Sequence, residues 1–594
     1  MKKLLFIIWM LVYQISGAQV RIDWQQCYGS MESDYAEGVV KTEDGYLVIG
    51  YCSQGSAGTG MVGCEDYGTG EPDAPGAWLI KIDEHGEHQV QWQHCYAIGP
   101  TCFEKAHGIK GKQEYFIIGN SNNGTSYPQA LNIMIIKINE YGEVLWEKDY
   151  GNEHGLIYAS GGLTTSDGGA IAYAPYFTAG GDISQHYGAL DSWIVKVDSI
   201  GHIEWEITLG NEASEFTGGI TQALDGGFLL AQGATVVNGI GNIGCEDESR
   251  FVGGIFTKLS AQGELEWSEC YGGTAMDSFM KIIELEDGYL ILGSSCSEDG
   301  DLEGSGYHYG TYGGYPNGNR LDDIWLLHLD TEHNILWGKC YGGTQRDTPS
   351  HVFQTEDGGF FVFGYTESTD GDVNSAKLLH LQPFPMNGGV LWIFRTDALG
   401  ELLWERCLGL ELTGQTDVYD VVKHNDREYT LAGSTSWYSG ESDGDVCCSN
   451  NAGLYFSWDN YWVLHITDTV NYDLLKVSEQ FDSQESALKV YPNPANSSFS
   501  ISLTEEASKT EMEILSLSGQ VMLRSIFRGK NNCLDVAHLP KGMYILKIRN
   551  KNLCCMRKVI KERIQQIRKT QKALGSTNKN IIFALNCNRI IKKS

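Results

Sequence analysis

The sequence predicts an all-β chain, a seven-bladed β-propeller followed by a small β-sandwich, and three observations support this. The 594 residues include 72 glycines, 31 tyrosines and 15 tryptophans but only 12 prolines, a composition typical of short strands joined by tight turns. A tryptophan followed by a Cys-Tyr-Gly-like tail recurs seven times. A strand resembling Trp-Leu-x-Lys-x-Asp also recurs seven times, between these tails.

The repeat unit contains four predicted strands. The tail forms the fourth strand, and its copies begin at Trp24, Trp92, Trp146, Trp205, Trp267, Trp337 and Trp404. The Trp-Leu-x-Lys-x-Asp strand is the third, at residues 77–83, 133–139, 193–198, 255–260, 325–330, 392–397 and 462–467. An acidic-Gly turn such as Glu43-Asp44-Gly45 joins the first two strands, because Asp-Gly between apolar runs is a strong hairpin signal. Radial stacking of four-stranded sheets buries their faces and produces a propeller.

The ends of the repeat array favour a closed ring. The array starts with a lone fourth strand, Val20 to Cys27, and it stops after a third strand, Trp462 to Thr467. The first strand can therefore complete the last blade and leave no open edge. A parallel β-helix is the structural alternative, but it does not explain the missing strand. The predicted blades are residues 31–96, 97–150, 151–209, 210–271, 272–341, 342–408 and 409–468 plus 20–28.

The N-terminus reads as a secretory signal. Lys2 and Lys3 precede the apolar stretch Leu4–Val12, and small residues at Ser16–Ala18 provide a cleavage site, so Gln19 is the expected mature N-terminus. No apolar run is long enough to predict a transmembrane segment. The predicted organisation is a signal peptide (1–18), a propeller (19–468), a linker (469–486), a sorting domain (487–561) and a basic, disordered tail (562–594).

Charge and cysteine content limit the partners. The formal net charge is −33, and an acidic propeller repels nucleic acid. Export permits disulfides, and none of the 16 cysteines forms a CxxC pair. Four cysteines within the long loops could cross-link these loops by disulfide bonds: Cys64, Cys245, Cys447 and Cys448.

The C-terminal part carries a specific pattern. Tyr491-Pro492-Asn493-Pro494 opens a series of short alternating strands that includes Gly542-Met543-Tyr544. This segment closely resembles the type A C-terminal sorting domain of the type IX secretion system of Bacteroidota. The resemblance implies Sec export, passage through the outer membrane, interaction with the type IX machinery, and removal of the sorting domain near residues 470–490. The protein would then be on the outer-membrane surface or outside the cell.

The repeats resemble uncharacterised repeats that are common in such exported proteins, and this likeness carries no known activity. Loops between the second and third strands are long and dissimilar, so we expect them to crowd one face around the channel and to form the recognition surface. Regularly placed strand tryptophans favour packing between blades. Aromatic residues in irregular loops are the better binding candidates: Tyr307, Tyr309, Tyr312, Tyr315, Trp437, Tyr438, Tyr455 and Trp458.

These features favour a non-enzymatic binding or adhesion function, with a glycan or a surface protein as ligand. The alternative is a propeller enzyme, a glycoside hydrolase or lyase acting on polysaccharide, although no carboxylate pair stands out in the sequence.

No cofactor is indicated apart from calcium. Clustered carboxylates in Asp-Gly-Asp triplets are weak calcium candidates, at Asp299, Asp301, Asp370, Asp372, Asp443 and Asp445. Ordinary turn chemistry is the alternative for these triplets. The segment from Glu84 to His88 is interpreted as a turn rather than a metal site.

Overall fold

Almost all regular structure is β-strand. The computed structural model describes residues 20–28, 34–52, 76–84, 88–96, 103–108, 112–122, 131–152, 157–235, 241–243, 252–308, 321–373, 389–409, 414–437, 459–470, 488–491, 498–515, 521–537, 539, 542–549 and 554–561. The chain divides into two compact units. One comprises Ile22–Thr467, and the other contains the residues from Asp468 onward.

Residues 20–468 form seven four-stranded antiparallel sheets in the described part of the chain. Sheets 1 to 3 are β2–β5 (Asp34–Lys41, Gly45–Cys52, Gly76–Asp83, Val90–Tyr96), β6–β9 (Phe103–Gly108, Glu114–Asn122, Leu131–Asn139, Val144–Tyr150) and β10–β13 (Gly161–Thr164, Ala170–Tyr176, Asp191–Val197, Ile203–Leu209). Sheets 4 to 6 are β14–β17 (Glu215–Gln222, Phe228–Thr235, Val252–Leu259, Leu265–Tyr271), β18–β21 (Asp277–Leu285, Gly288–Ser295, Asp323–Asp330, Ile335–Tyr341) and β22–β25 (Asp347–Gln354, Phe360–Thr366, Val390–Thr396, Leu402–Leu408).

Sheet 7 joins the two ends of the array. It contains β1 (Val20–Tyr28), β28 (Asp459–Asp468), β27 (Glu428–Trp437) and β26 (Gly414–Lys423), in that order. Across the β1–β28 boundary, the Trp462 indole N–H donates to the Gln25 side-chain oxygen at 2.9 Å. Each sheet contacts the next along the chain, and sheet 7 contacts sheet 1. The sheets therefore form a closed ring.

Strand tryptophans and tail tyrosines connect neighbouring sheets. The indole N–H groups of Trp146 and Trp205 donate to backbone carbonyls in the third hairpin of the next sheet, at 3.1 Å each. In the same way, the Tyr150 hydroxyl donates to the Gly201 carbonyl at 2.8 Å. These contacts explain the repeated Trp and Tyr physically, and they agree with the packing role predicted for the tryptophans.

A buried cation in the third strand explains the Lys of the repeat. Lys196 and Lys258 are almost fully buried, and each ammonium lies 2.6 Å from the aspartate of the first hairpin of its own sheet, Asp167 and Asp225 respectively. The same ion pair recurs between Lys81 and Asp44 and between Arg395 and Asp357. Lys137 pairs instead with Glu114 at the start of β7, and His328 Nε2 lies 3.6 Å from Asp287 Oδ1. The aspartates of four Asp-Gly turns, Asp44, Asp167, Asp225 and Asp357, are thus ion-pair partners as well as turn formers.

The C-terminal unit contains one five-stranded sheet. Its strands are β29 (Leu488–Tyr491), β30 (Ser498–Leu515), β31 (Val521–Asp535), β32 (Gly542–Arg549) and β33 (Cys554–Lys561). Where the sequence predicts only short strands, β30 runs over 18 residues and continues through irregular pairing between Ser502 and Thr510. Phe499 and Ile514, from its two halves, share one hydrophobic core.

Candidate functional site

A channel in the ring of sheets forms a concave site in the described part of the chain. Its volume is about 660 Å³. The first strands of the sheets supply most of its lining, for example Glu37 of β2, Met280 of β18 and Tyr419 of β26. Since first strands also make most contacts between sheets, they lie innermost in the ring.

A β-bulge recurs at the same place in six first strands: β2, β6, β14, β18, β22 and β26. The extra residues on five of these strands line the channel: Glu37, Gly218, Met280, Ser350 and Tyr419. A bulge re-aims a side chain without ending the strand, and bulges are over-represented beside active sites. The same local irregularity therefore supplies different side chains around one cavity.

The channel lining is unequal in chemistry. Sheets 3 to 5 supply mainly small or apolar residues, including Gly162, Leu163, Gly219, Ile220 and Met280. Sheets 6, 7 and 1 supply most of the charged and hydrogen-bonding residues, and Lys281 of sheet 5 adds one cation. The residues from sheets 6, 7 and 1 include Glu37, Arg346, His351, Glu367, Asp417 and Asp420. The channel can therefore receive a ligand with one apolar and one polar face.

Two carboxyls and two tyrosines meet in this polar wall. The Tyr365 hydroxyl donates to Glu367 Oε1 at 3.3 Å, and the Tyr419 hydroxyl donates to Asp417 Oδ2 at 3.4 Å. Burial raises the pKa of Glu367, although the Tyr365 hydroxyl opposes that shift. Burial also raises the pKa of Tyr365, and the charges of Glu367 and Asp417 add to it. Sheets 6 and 7 thus each contribute one carboxyl and one tyrosine hydroxyl to the wall of the channel.

A serine, a histidine and an aspartate lie one after another along the same wall of the channel. Ser350 Oγ lies 2.8 Å from His351 Nδ1, and His351 Nε2 lies 3.3 Å from Asp420 Oδ1. Asp420 Oδ2 accepts from the Val39 backbone N–H at 2.9 Å. His351 is 8% exposed, so protein groups rather than water contact its ring nitrogens. These contacts cross from sheet 6 through sheet 7 to sheet 1.

Of the predicted aromatic binding residues, Tyr307 is described in full. Its hydroxyl donates to the Leu321 carbonyl at 2.8 Å, and its ring packs on the core of sheets 4 and 5. Trp437 ends β27, and its backbone pairs with Gly414. The remaining candidates lie outside the described residues: Tyr309, Tyr312, Tyr315, Tyr438, Tyr455 and Trp458. Their proposed binding role stays a prediction.

The described Asp-Gly-Asp carboxylates bind protein donors. Asp299 Oδ1 accepts from the Thr274 N–H and Oδ2 from the Thr274 hydroxyl, at 2.8 and 2.7 Å. Asp370 holds Thr344 in the same way, and Asp301 Oδ2 accepts from the Gly272 N–H. Asp372 lies 4.0 Å from the His308 imidazole, while Asp443 and Asp445 lie outside the described residues. No cluster of three metal-ligating side chains occurs in the described ranges.

His308 is a residue that sequence reasoning missed. It lies in a predicted recognition loop, and its Nδ1 is 3.1 Å from Asp323 Oδ2. This hydrogen bond raises the pKa of His308.

His88, within the predicted turn, stacks on Trp24 with ring centroids 3.9 Å apart. Cys27 and Cys270, in the fourth strands of two different sheets, each take part in a disulfide bond. Cys296, Cys340, Cys407 and Cys533 are thiols.

The predicted sorting residues divide between surface and core. Tyr491 ends β29 and is 47% exposed, whereas Tyr544 is 6% exposed in the core. Burial raises the pKa of Tyr544 to about 12. Gly542 begins β32 and pairs with Lys561. Pro492, Asn493 and Pro494 lie outside the described residues.

Comparison with known proteins identifies the C-terminal segment. Residues 489–562 match the family model described as a secretion system C-terminal sorting domain. No curated protein matches the chain. Among solved structures, the chain is similar to a puromycin hydrolase mutant complexed with PGG (10% identity, TM-score 0.39, 71% of this chain and 55% of that one). It is also similar to a GH43 β-1,3-galactosidase (10% identity, TM-score 0.26, 74% and 94%).

A prolyl oligopeptidase B mutant from Galerina marginata is similar at 9% identity, with a TM-score of 0.33, over 72% of this chain and 52% of that one. The match covers only 52% to 59% of the length of the puromycin hydrolase and prolyl oligopeptidase chains. In the described residues, no helix is long and apolar enough to cross a membrane. The sorting domain implies that the type IX secretion machinery exports the chain to the cell surface or the extracellular space.

Proposed function

We propose that this protein is an exported seven-bladed β-propeller that binds a glycan in its central channel without cutting glycosidic bonds. The seven sheets and the contact between the last and the first sheet support this architecture. We further propose a Bacteroidota source, Sec-dependent export with removal of residues 1–18, and cleavage of the sorting domain near residues 470–490. The exported form would then consist mainly of the propeller.

The observation that carries the binding proposal is the two-sided channel. A volume of about 660 Å³ lies within the range of about 300–1,000 Å³ that is usual for small-ligand sites. It is too small for a folded partner protein. Sugars combine an apolar ring face with hydroxyl groups. The side of the channel that contains Gly219 and Met280 matches the ring face, and the side that contains Glu367, Asp417 and Tyr419 matches the hydroxyls.

The long loops and the channel can belong to one recognition surface. Tyr365, Glu367 and Arg346 line the channel where β23 ends and β22 begins. The loops between second and third strands leave the ring from this same end of the sheets. The proposal therefore keeps the predicted recognition face at this end of the ring, next to the channel mouth.

A glycan array followed by calorimetry on the full chain tests the binding proposal. D417N and E367Q should weaken binding of a selected glycan at least about tenfold, because each removes a carboxylate acceptor for sugar hydroxyls. Glu264 is exposed in a hairpin away from the channel, so E264Q is the matched control and should bind normally. Unchanged binding by D417N and E367Q would contradict the channel as the site.

A polysaccharide-cleaving enzyme is the second candidate. It is favoured by two carboxyls that line the same channel, because a pKa raised by burial suits Glu367 as a general acid, and Asp417 would act as the base. A screen for new reducing ends from polysaccharides separates the two functions. Binding without cleavage gives no reducing ends, whereas cleavage by the wild type that E367Q abolishes would replace the binding proposal.

A further inference from the structure

We propose that Ser350, His351 and Asp420 form a nucleophilic site that hydrolyses carboxylic esters with a small acyl group. The site shares the channel with the proposed glycan site, but it does not depend on that ligand. Ser350 lies in the channel wall at the β22 bulge, between Pro349 and His351. The bulge brings Ser350 and its neighbour His351 together on the channel wall.

Asp420 fixes the tautomer of the histidine. Its carboxylate accepts from the backbone N–H groups of Val39 and Val421 at 2.9 and 3.0 Å, and such donors stabilise the ionised form. An ionised Asp420 requires that His351 carries its proton on Nε2, which faces Oδ1. His351 Nδ1 then presents its lone pair to the Ser350 hydroxyl at 2.8 Å.

This arrangement is that of a nucleophile, a general base and a positioning residue. The two ring nitrogens are exchanged relative to the usual serine hydrolase arrangement, since Nδ1 here faces the serine. The Ser350 hydroxyl also lies 3.0 Å from the Val418 carbonyl. That carbonyl is an alternative acceptor, and the hydroxyl proton turns to Nδ1 when the serine attacks.

The reaction balances with water as the only co-reactant. Ser350 Oγ bonds to the ester carbonyl carbon while its proton passes to His351 Nδ1, and Asp420 stabilises the resulting imidazolium. The tetrahedral intermediate expels the alkoxide, which takes the proton from Nδ1 and leaves an acyl-serine ester. Water then attacks the acyl carbon while its proton passes to His351 Nδ1. The bond to Ser350 Oγ breaks, the serine oxygen takes that proton back from Nδ1, and the carboxylic acid is released. Esters are the expected class because their leaving groups depart more readily than those of amides.

A purely structural brace between sheets 6, 7 and 1 would show the same contacts without reactivity. The test is hydrolysis of p-nitrophenyl acetate by the full chain, together with labelling by a fluorophosphonate and peptide mapping. The wild type should hydrolyse the ester above the buffer rate and carry the label on Ser350. S350A should lose the label and at least about 100-fold in rate, and H351N should lose a similar factor.

Asp420 requires a separate readout because it also binds backbone groups. D420N should lower kcat with little change in KM, and D420E should restore part of the rate. Ser278, on the neighbouring first strand β18, bonds to Ser294 at 3.1 Å, so S278A is the matched serine control and should keep full activity. Absence of hydrolysis and labelling in the wild type, labelling at another residue, or full activity in S350A would each overturn the proposal. The position of the label is mapped in the wild type, so this result does not depend on whether a variant folds.

Discussion

Removing one partner of a buried ion pair tests the role of the third-strand cations. Arg395 is 1% exposed, and its guanidinium donates to Asp357, to the Thr355 hydroxyl and, at 2.8 Å, to the Thr396 carbonyl. D357N keeps the side-chain shape but leaves the buried cation without its anion. Such a loss costs about 3–5 kcal/mol at a fully buried site.

The structure places this variant at the lower end of that range. The Asp357 side chain is 20% exposed, so water can partly replace the lost carboxylate, and we expect D357N to cost about 2–4 kcal/mol. In a cooperative unit of this size, that corresponds to a fall in Tm of about 2–4 °C. R395M removes the buried charge itself and should cost about 1 kcal/mol or less, because Asp357 keeps its Thr355 and Gly359 donors.

The assay is urea unfolding followed by tryptophan fluorescence, with D287N as the matched control. Asp287 is 70% exposed and 3.6 Å from His328, so D287N should cost less than about 0.5 kcal/mol. Although burial opposes the shift, Arg395 holds the pKa of Asp357 below its ordinary value. This contribution is therefore present above the unfolded pKa and is lost as the pH falls through the folded one. A D357N cost no larger than that of R395M, or one that persists at low pH, would refute the reasoning.

Three further results are expected. Y341F should cost about 1–2 kcal/mol in calorimetry, because it removes the 2.5 Å hydrogen bond to the Gly400 carbonyl; an unchanged Tm would contradict this. Burial lowers the pKa of His424 to about 4, so the unfolded chain binds more protons between about pH 4 and 6.5. The free energy of unfolding should fall by roughly 1–2 kcal/mol as the pH drops through that window. If the urea midpoint of H424N depends on pH as strongly as that of the wild type, His424 is not the cause. D299A should lower the Tm through the lost bonds to Thr274, while EDTA should not; a Tm lowered by EDTA would instead support calcium.

The sequence could predict the ring because its repeat residues act locally. Asp-Gly turns define the first hairpin, and the strand tryptophans mark each fourth strand. Counting strands places Val20–Tyr28 beside Asp459–Asp468, where the structure pairs them. The lysine of the third strand was part of the visible pattern, but its pairing with the turn carboxylate joins residues about 30 positions apart and needed coordinates.

The lining of the channel could not be predicted, because its residues are different in every sheet. Ser350 and Asp420 occupy first strands in which no common motif is visible, and their sequence separation is large. A one-residue bulge decides which side chain faces the channel, and neither alternation nor turn chemistry reveals a bulge. Attention to irregular first strands carrying Ser, His or Asp would have been the available signal.

An experimental structure of the exported chain tests the central claim, a closed seven-bladed ring around an accessible channel, most directly. It should show seven four-stranded sheets, with Val20–Tyr28 hydrogen-bonded to Asp459–Asp468, and an open channel lined by Ser350, Glu367 and Asp417. Six or eight sheets, an unpaired Val20–Tyr28 strand, or a channel filled by the long loops would contradict it.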